Sequence, residues 1–422
     1  MPNVLIRPVP LKATRTAWLL WTVGVIAYVI AVLHRTSFGV AGIEATTRFD
    51  VSASALSSFT VVQVLVYAAL QVPVGLLLDR WGSRRMIAGG ALLMASGQLL
   101  LAFSTTITPA LLARVMVGAG DAMTFISVLK VISLWFPSRQ AGLLTQLTGF
   151  LGQLGQLLSA IPLVALLHGP GWTTAYVSAA AIGLLAAVLA ITVLRDAPST
   201  EPAPPFRTLL PNLRASWHSP GTRLGMWSHC VQTSASAFAL MWGYPYLVTA
   251  QGLSPTTAGT LLTIFVLATV STGPAIGAYL SRHPAHHVRV TIAITLQMMA
   301  AWTAVLSLPH HAPLWLLTLL VISIAAGGPA SMIGFDHARA HNPPSRLGTA
   351  SGLVNAAGFT AALLLILMIG LVLDHTSPTS TFTPEAFRLA WLTQYPLWLL
   401  TLLFVTRTAR STRRFAQLPN PR

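Results

Sequence analysis

The feature that most constrains the fold is a series of apolar stretches, each long enough to cross a lipid bilayer. A spanning segment needs about 20 apolar residues, and it must be helical because lipid offers the backbone no hydrogen-bond partners. Charged residues make up 8% of the 422 residues, against roughly a quarter in a soluble domain. We therefore predict an all-α membrane protein with twelve spans, at roughly 17–41, 54–78, 85–104, 109–134, 140–167, 173–194, 223–249, 256–280, 289–308, 313–334, 347–373 and 386–406.

The distribution of basic residues predicts the topology. If the first span begins in the cytoplasm and the spans alternate, twenty of the 25 Lys and Arg residues fall in cytoplasmic loops and tails. Only Arg48 and Arg388 fall outside, while Arg35, Arg114 and Lys130 fall within spans. This bias follows the positive-inside rule and places both termini in the cytoplasm. The net charge of +16 thus reports topology in a cell inner or plasma membrane, and no nucleic-acid partner is expected.

Several function classes are not supported by the sequence. The single cysteine, Cys230, excludes an intramolecular disulfide and a cysteine-based metal site. No phosphate-binding Walker sequence and no nucleophile–base arrangement is recognisable, so we expect neither an ATP-driven pump nor an enzyme. The three histidines of the loop after the eighth span have no acid nearby, which favours a solvated loop over a metal site. We expect no cofactor.

The chain divides into two halves that repeat one another. The longest polar interruption, 195–222, is rich in proline, which breaks helices. We predict six-helix bundles at 1–194 and 223–406, a cytoplasmic linker at 195–222 and a basic tail at 407–422. Gly75-Leu-Leu-Leu-Asp79-Arg80 after the second span is matched by Gly277-Ala-Tyr-Leu-Ser281-Arg282, 202 residues later, and Pro137-Ser-Arg139 by Pro344-Ser-Arg346, 207 residues later.

The loop after the second span carries a family pattern. It reads Gly75-Leu-Leu-Leu-Asp79-Arg80-Trp81-Gly82-Ser83-Arg84-Arg85, and Gly82 permits a tight turn. The stretch resembles the G-x-L-A-D-R-x-G-R-K loop of major facilitator superfamily transporters, from which Leu78 and Ser83 depart. The resemblance implies two parallel six-helix repeats, alternating access and a substrate site near the membrane midplane between the halves.

Within that family, the loop is expected to act as a conformational latch. The resemblance implies that the carboxylate of Asp79 faces the start of the eleventh helix, near Ser345–Thr349, when the cytoplasmic side is closed. Free amide groups at a helix N-terminus favour such a carboxylate. Arg80, Arg84 and Arg85 could bridge to loop carbonyls or to Asp336. The alternative is that the loop is only a topology anchor.

The first span carries His34-Arg35 within its apolar run. An intramembrane arginine is a functional candidate because of the cost of burying it, although Arg35 could also extend to the interface. Residues 33–41 resemble the first helix of the anion:cation symporter branch, in which an arginine at this place faces the cavity. His34 points about 100° away from Arg35 and is expected to be structural.

The fourth span holds Arg114, Asp121 and Lys130. Arg114 and Asp121 are seven residues apart and share a helix face, whereas Lys130 faces almost the opposite way. Arg114-x-x-x-Gly118 resembles the arginine-containing pattern that proton-coupled members carry on this helix. Protonation of an acid paired with an arginine would release the arginine, which would couple transport to protons. A static pair that only satisfies two polar groups remains equally open.

Uncharged polar residues mark the inward faces of other spans. Interhelical hydrogen bonding explains most of them, and His229 is singled out because histidine titrates near physiological pH. The candidates for substrate or proton contact are Gln63 and Tyr67 on the second span, Gln153 on the fifth, His229 on the seventh and Asn355 on the eleventh.

The function that these observations favour is secondary active transport of a small solute. Within the spans, three basic residues (Arg35, Arg114 and Lys130) stand against one acid, Asp121. This excess of positive charge favours proton-coupled uptake of an organic or inorganic anion. We expect the transporter to be a monomer embedded in lipid. The alternatives are a proton-coupled efflux antiporter for drugs or metabolites and a non-transporting membrane sensor. The fifth span lacks the G-x-x-x-G-P-x-x-G-G signature of drug antiporters, and the tail is short for a sensor.

Overall fold

The computed structural model describes residues 13–50, 53–196, 205–235, 238–377 and 382–417. Over these ranges the chain is helical, with no β-strand. The α-helices of the described residues are α1 (Arg15–Val40), α2 (Gly42–Phe49), α3 (Ala53–Phe103), α4 (Ile107–Ala122), α5 (Phe125–Trp135), α6 (Ser138–Leu158), α7 (Val164–His168), α8 (Trp172–Val193), α9 (Leu209–His218), α10 (Pro220–Thr233), α11 (Gly243–Pro245), α12 (Pro255–Arg282), α13 (His287–Leu306), α14 (Leu314–Ala325), α15 (Gly327–Ser331), α16 (Ile333–Ala340), α17 (Leu347–Thr376), α18 (Pro384–Leu392) and α19 (Gln394–Gln417).

Ten helical segments of the described chain are long and apolar enough to cross a membrane. One of them, Ser58–Phe103, has 46 residues and covers most of both the second and the third predicted spans. Its helical geometry is interrupted at Gly82, where φ is 79° and ψ is 167°. The chain is thus an all-helical protein with many apolar spans, while the number twelve and the cytoplasmic termini stay predictions.

Two predicted spans contain wider, π-helical turns that the sequence analysis did not anticipate. In the fifth span, Ser159–Leu163 is π-helical between α6 and α7 and contains Pro162. In the seventh span, Phe238–Trp242 and Tyr246–Ala250 are π-helical on either side of α11. Proline cannot donate to the helical ladder, and single π turns are a common way for a helix to accommodate such a break. Residues 236–237 of the seventh span lie outside the described residues.

The helices form two compact units. One extends to Ser216 and includes Pro343–Gly352; the other comprises Trp217–Asn342 and the chain from Leu353 onward. The domain boundaries at 194, 222 and 406 stay predictions. The helix α19 continues to Gln417, so the predicted tail at 407–422 begins within a helix.

The first unit has an aromatic core at one end of its bundle. Phe38 of α1 stacks on Phe59 of α3 with ring centroids 4.8 Å apart. The ring of Trp172, at the start of α8, packs edge-on against Phe38 and donates its indole N–H to the carbonyl oxygen of Leu101 at 3.0 Å. These contacts fix α1, α3 and α8 side by side, so the polar residues of α1 and α4 have defined neighbours.

The second unit is held by a larger aromatic cluster. Trp302 of α13 and Trp391 of α18 stack with centroids 4.4 Å apart, and the ring of Tyr246 packs against both. On α19, Trp398 donates to the hydroxyl of Ser234 at 2.8 Å. Burying aromatic rings of this size supplies much of the packing energy of a core, and it anchors the irregular seventh span.

Candidate functional site

The carboxylate of Asp79 binds the N-terminus of α17. Its Oδ1 accepts from the backbone N–H of Gly348 at 2.7 Å. Its Oδ2 accepts from the N–H of Thr349 at 2.7 Å and from the hydroxyl of the same residue at 2.6 Å. The first N–H groups of a helix have no partner within it, and the helix dipole favours a negative charge there. Asp79 is therefore an N-terminal cap for a helix that is distant from it in sequence.

Asp79 has a second, charged partner that sequence analysis missed. The ammonium nitrogen of Lys130 lies 2.8 Å from Asp79 Oδ1, and the two side chains are only 8% and 2% exposed. Lys130 also donates to the carbonyl oxygen of Leu78 at 3.1 Å. Fifty-one residues separate the pair, so no sequence spacing indicated it. Lys130 is thereby neutralised, and the interpretation of it as part of a free basic excess was wrong.

Two glycines bring α3 and α17 into backbone contact beside this cap. A Cβ atom built on Gly75 would lie 2.5 Å from the carbonyl oxygen of Gly348, and one on Gly348 would lie 2.7 Å from the carbonyl oxygen of Gly75. Real Cβ contacts are not that close. The absence of both side chains is what allows Asp79 to reach the amides of α17.

The rest of the predicted latch forms the turn between the two parts of α3. The positive φ of Gly82 is accessible to glycine and rarely to other residues. Asp196, which follows α8, closes the turn: its Oδ1 accepts from the N–H of Ser83 at 2.6 Å and from that of Arg84 at 3.3 Å. Nothing in the sequence pointed to Asp196, because it lies 113 residues from Ser83.

The arginines of this loop do not share one role. The guanidinium of Arg80 lies 3.8 Å from the ring centroid of Phe206. The side chains of Arg84 and Arg85 are exposed, and neither forms an ion pair within the described residues. In the second unit, Asp336 pairs with Arg339 and with His287, which corrects its suggested role as a partner of the loop arginines.

Within the first unit, Arg35 and Asp121 form a two-point ion pair. Arg35 Nε donates to Asp121 Oδ2 at 2.6 Å, and Arg35 Nη2 donates to Oδ1 at 2.8 Å. Asp121 is 1% exposed, whereas Arg35 is 28% exposed. The Arg35 guanidinium also lies 5.2 Å from the ring centroid of Tyr67. Asp121 therefore binds a guanidinium group that remains partly exposed.

Arg114 is buried nearby with different partners. Its Nη2 donates to the side-chain oxygen of Gln63 and, at 3.0 Å, to the backbone carbonyl of Arg35. Its Nε and Nη1 are buried without a hydrogen-bond partner among the described residues. Helical periodicity correctly placed Arg114 and Asp121 on one face, but the proposed pair between them was wrong: the direct partner of Asp121 is Arg35.

The remaining candidates of the first unit differ in their surroundings. Gln63 and Tyr67 are buried at 2% and 5% exposure, next to the two arginines. Gln153 is exposed. His34, expected to be structural, lies with Nε2 2.9 Å from the carbonyl oxygen of Ala179 on α8. The structure thus groups Arg35, Asp121, Arg114, Gln63 and Tyr67 in one cluster.

In the second unit, His229 and Asn355 lie together. His229 is 2% exposed, and its Nδ1 lies 2.9 Å from the carbonyl oxygen of Ser331. Asn355, 2% exposed on α17, is the polar neighbour of the same imidazole. Gly358 leaves room for the ring, since a Cβ there would overlap it. The proposed role of this pair in substrate or proton contact stays a prediction.

The helices, the apolar spans and the buried charged cluster define a polytopic membrane protein built around ion pairs inside its bundle. The profile of the Major Facilitator Superfamily matches residues 24–366. The chain therefore belongs to the major facilitator superfamily; it is a multi-pass membrane transporter of small solutes and not an enzyme.

Comparison with known proteins gives relatives within that family. The chain is 28% identical over 334 residues to the probable nitrate/nitrite transporter NarK2 of Mycobacterium tuberculosis, covering 77% of this chain and 81% of that protein. It is 28% identical over 162 residues to the probable L-galactonate transporter of Escherichia coli K12, over 38% and 36% of the two chains. The E. coli fucose:proton symporter FucP has a similar fold, with a TM-score of 0.74 at 14% identity over 93% of this chain and 99% of FucP.

Proposed function

We propose that this protein is a proton-coupled importer of a small anion, either an inorganic oxyanion or an organic carboxylate. The observation that carries the proposal is the two-point pair between Arg35 and Asp121, with the buried guanidinium of Arg114 beside it. The two sequence relatives agree with an anionic substrate, because nitrate, nitrite and galactonate are all anions.

The charge balance of the cluster favours an anion. The cluster contains two guanidinium groups, Arg35 and Arg114, but only one carboxylate, and Lys130 does not add to this excess because Asp79 neutralises it. A buried charge without a counter-ion is costly in a membrane interior. A bound anion would take the place of a protonated Asp121 as counter-ion to this positive charge, and Arg35, which is 28% exposed, is where it would bind.

The same geometry supplies the coupling. When Asp121 is ionised, it occupies Nε and Nη2 of Arg35, which are the two donors that a planar carboxylate or nitrate would use. A proton transferred to Asp121 neutralises that carboxylate and frees both donors for the anion. One proton and one monovalent anion then replace the internal ion pair with no change in the net charge of the cluster.

Asp79 is assigned a different role in this proposal. As the cap of α17, supported by Lys130 and by the contact between Gly75 and Gly348, it stabilises one conformational state and must release α17 in the other. Arg80, Gly82, Arg84 and Arg85 belong to the same latch. Gln63, Tyr67, Gln153, His229 and Asn355 remain candidates for substrate or proton contact, and both termini are assigned to the cytoplasm.

Uptake by the full chain in proteoliposomes tests the function. With a pH gradient that is acidic on the side of substrate addition, we expect accumulation of nitrate or galactonate above the level reached without the gradient. Arg35→Gln should abolish it, and the matched variant Arg139→Gln, at an exposed arginine of α6, should not. The proposal would be overturned if only cationic amphiphiles were transported and raised the melting temperature of the protein. It would also be overturned if Arg35→Gln took up the anion as fast as the wild type.

A further inference from the structure

The segment that follows the first unit's last span exposes large apolar side chains outside the predicted spans. It consists of a 3₁₀ turn, Phe206–Thr208, and the helix α9. Phe206, Leu210 and Trp217 are 60%, 72% and 47% exposed. Leu210 and Trp217 are seven residues apart, so they lie on the same side of α9. Such a row is unfavourable in water, and its position between spans means that lipid-facing helix surface does not explain it.

Basic residues accompany this row, and acids are absent. Arg207 and Arg214 are exposed and are also seven residues apart, which places them on a strip next to the apolar side. Residues 205–222 contain no Asp or Glu. An apolar side flanked by arginines is the pattern of a helix that lies in the plane of the membrane interface, since the long arginine side chains can reach up to headgroup phosphates.

Contacts with the first unit hold the start of the segment at the level of the Gly82 turn. The ring of Phe206 lies under the guanidinium of Arg80, and Asp196 is bound to the backbone of that turn. On α9 itself, Ser216 is fully buried, so that side of the helix faces protein. Leu210 and Trp217 lie about 100–120° around the helix from Ser216, and both are exposed.

We propose that the segment Phe206–His218 is an interfacial anchor that binds anionic phospholipid at the cytoplasmic face. Leu210 and Trp217 insert at the boundary of headgroups and acyl chains, and Arg207 and Arg214 contact the phosphates. Because Phe206 also packs against Arg80, the anchor joins the lipid surface to the Asp79–Arg85 loop. The inference does not depend on which solute the protein carries.

A nitroxide label on the full chain in lipid nanodiscs tests the orientation. In a Cys230→Ser background, a label at Leu210→Cys should be accessible to oxygen and protected from a nickel chelate. The matched label at Ala215→Cys, exposed and about 140° around the helix, should show the opposite. If Cys230→Ser does not fold, Cys230 can be kept because it is buried. Equal accessibility of the two labels to the nickel chelate would overturn the proposal of an interfacial anchor. The segment would then be either solvated or a binding surface for another protein.

The lipid partner is tested by composition. The protection of the label at residue 210 should increase when phosphatidylglycerol is added to phosphatidylcholine nanodiscs, and the increase should disappear in the Arg207→Gln/Arg214→Gln double variant. Protection that is the same in both lipids would exclude recognition of anionic lipid. Retention of the increase in the double variant would exclude these two arginines as its source.

Discussion

Lys130 and Asp79 form a buried ion pair, with 2.8 Å between Lys130 Nζ and Asp79 Oδ1. The same carboxylate caps α17, so one acid stabilises a charge on α5 and the N-terminus of a helix 269 residues away in sequence. The pair separates the membrane charges into two sets. Lys130 and Asp79 are the set that we assign to the proposed latch, and Arg35, Arg114 and Asp121 are the set that we assign to the proposed solute and proton site.

Asp79→Asn should slow uptake by roughly tenfold or more, equivalent to about 1.4 kcal/mol or more, without preventing membrane insertion. The amide retains the size of the side chain but leaves Lys130 as an unpaired buried charge, a change that costs about 3–5 kcal/mol in buried pairs. Initial uptake rates and thermal melting of the purified protein measure the two effects. The double variant Asp79→Asn/Lys130→Met should melt higher than Asp79→Asn, and unchanged uptake would refute the latch.

Gly75→Ala should lower thermal stability and transport together. The new Cβ would meet the Gly348 carbonyl at 2.5 Å, so α3 and α17 would have to separate, and overpacking of this kind costs typically about 1–3 kcal/mol. The matched control is Gly149→Ala on α6, where a Cβ meets nothing within 4 Å and alanine favours the helix by up to about 1 kcal/mol. Equal melting temperatures for the two variants would contradict a close contact at Gly75.

Asp121→Asn should make anion binding independent of pH. In the proposed mechanism, protonation of Asp121 frees Arg35, so the affinity of the wild type for the anion should rise as pH falls. The asparagine amide cannot take up the proton, so Asp121→Asn should bind the anion with similar affinity at every pH. Binding isotherms over a pH series, with uptake under a pH gradient, measure this. Accumulation that still follows the gradient in Asp121→Asn would show that another group carries the proton.

His229→Gln identifies whether that other group is His229. A glutamine amide can still donate to the Ser331 carbonyl that His229 contacts, but it does not titrate. We expect the variant to retain the pH dependence of uptake, with at most a small change in rate. Loss of gradient dependence in His229→Gln, with retention in Asp121→Asn, would reverse the assignment.

Gly82→Ala should destabilise the protein by about 1–3 kcal/mol, the usual cost of a residue in a sparsely populated backbone region. Two causes are present, the positive φ of 79° and the overlap of a new Cβ with the Asp196 carboxylate. Thermal melting of Gly82→Ala in an Asp196→Ala background separates them, because only the overlap is relieved. A wild-type melting temperature for Gly82→Ala would contradict the strained turn.

The sequence predicted a helical, membrane-spanning chain because both properties depend on local hydrophobicity, whereas the number of twelve spans stays a prediction. It also indicated the residues of the polar cluster, since charges inside apolar stretches are conspicuous. It could not assign partners. Arg35 and Asp121 are 86 residues apart, and helical periodicity places a side chain on a face without stating which helix that face meets. The π-helical turns at Pro162 and around α11 escaped prediction for a related reason, because a proline marks a break but not its geometry.

The hydrogen bonds of Asp79 also bear on the kinetics of transport. Its two oxygen atoms accept from four donors: two backbone amides, one hydroxyl and one ammonium group. Release of α17 in the proposed latch would separate the two amides and the hydroxyl from the carboxylate, while Lys130 would stay paired with Asp79, so water would have to solvate the groups that part. We therefore expect three hydrogen bonds to break together in the proposed release step, and its rate to respond to water activity.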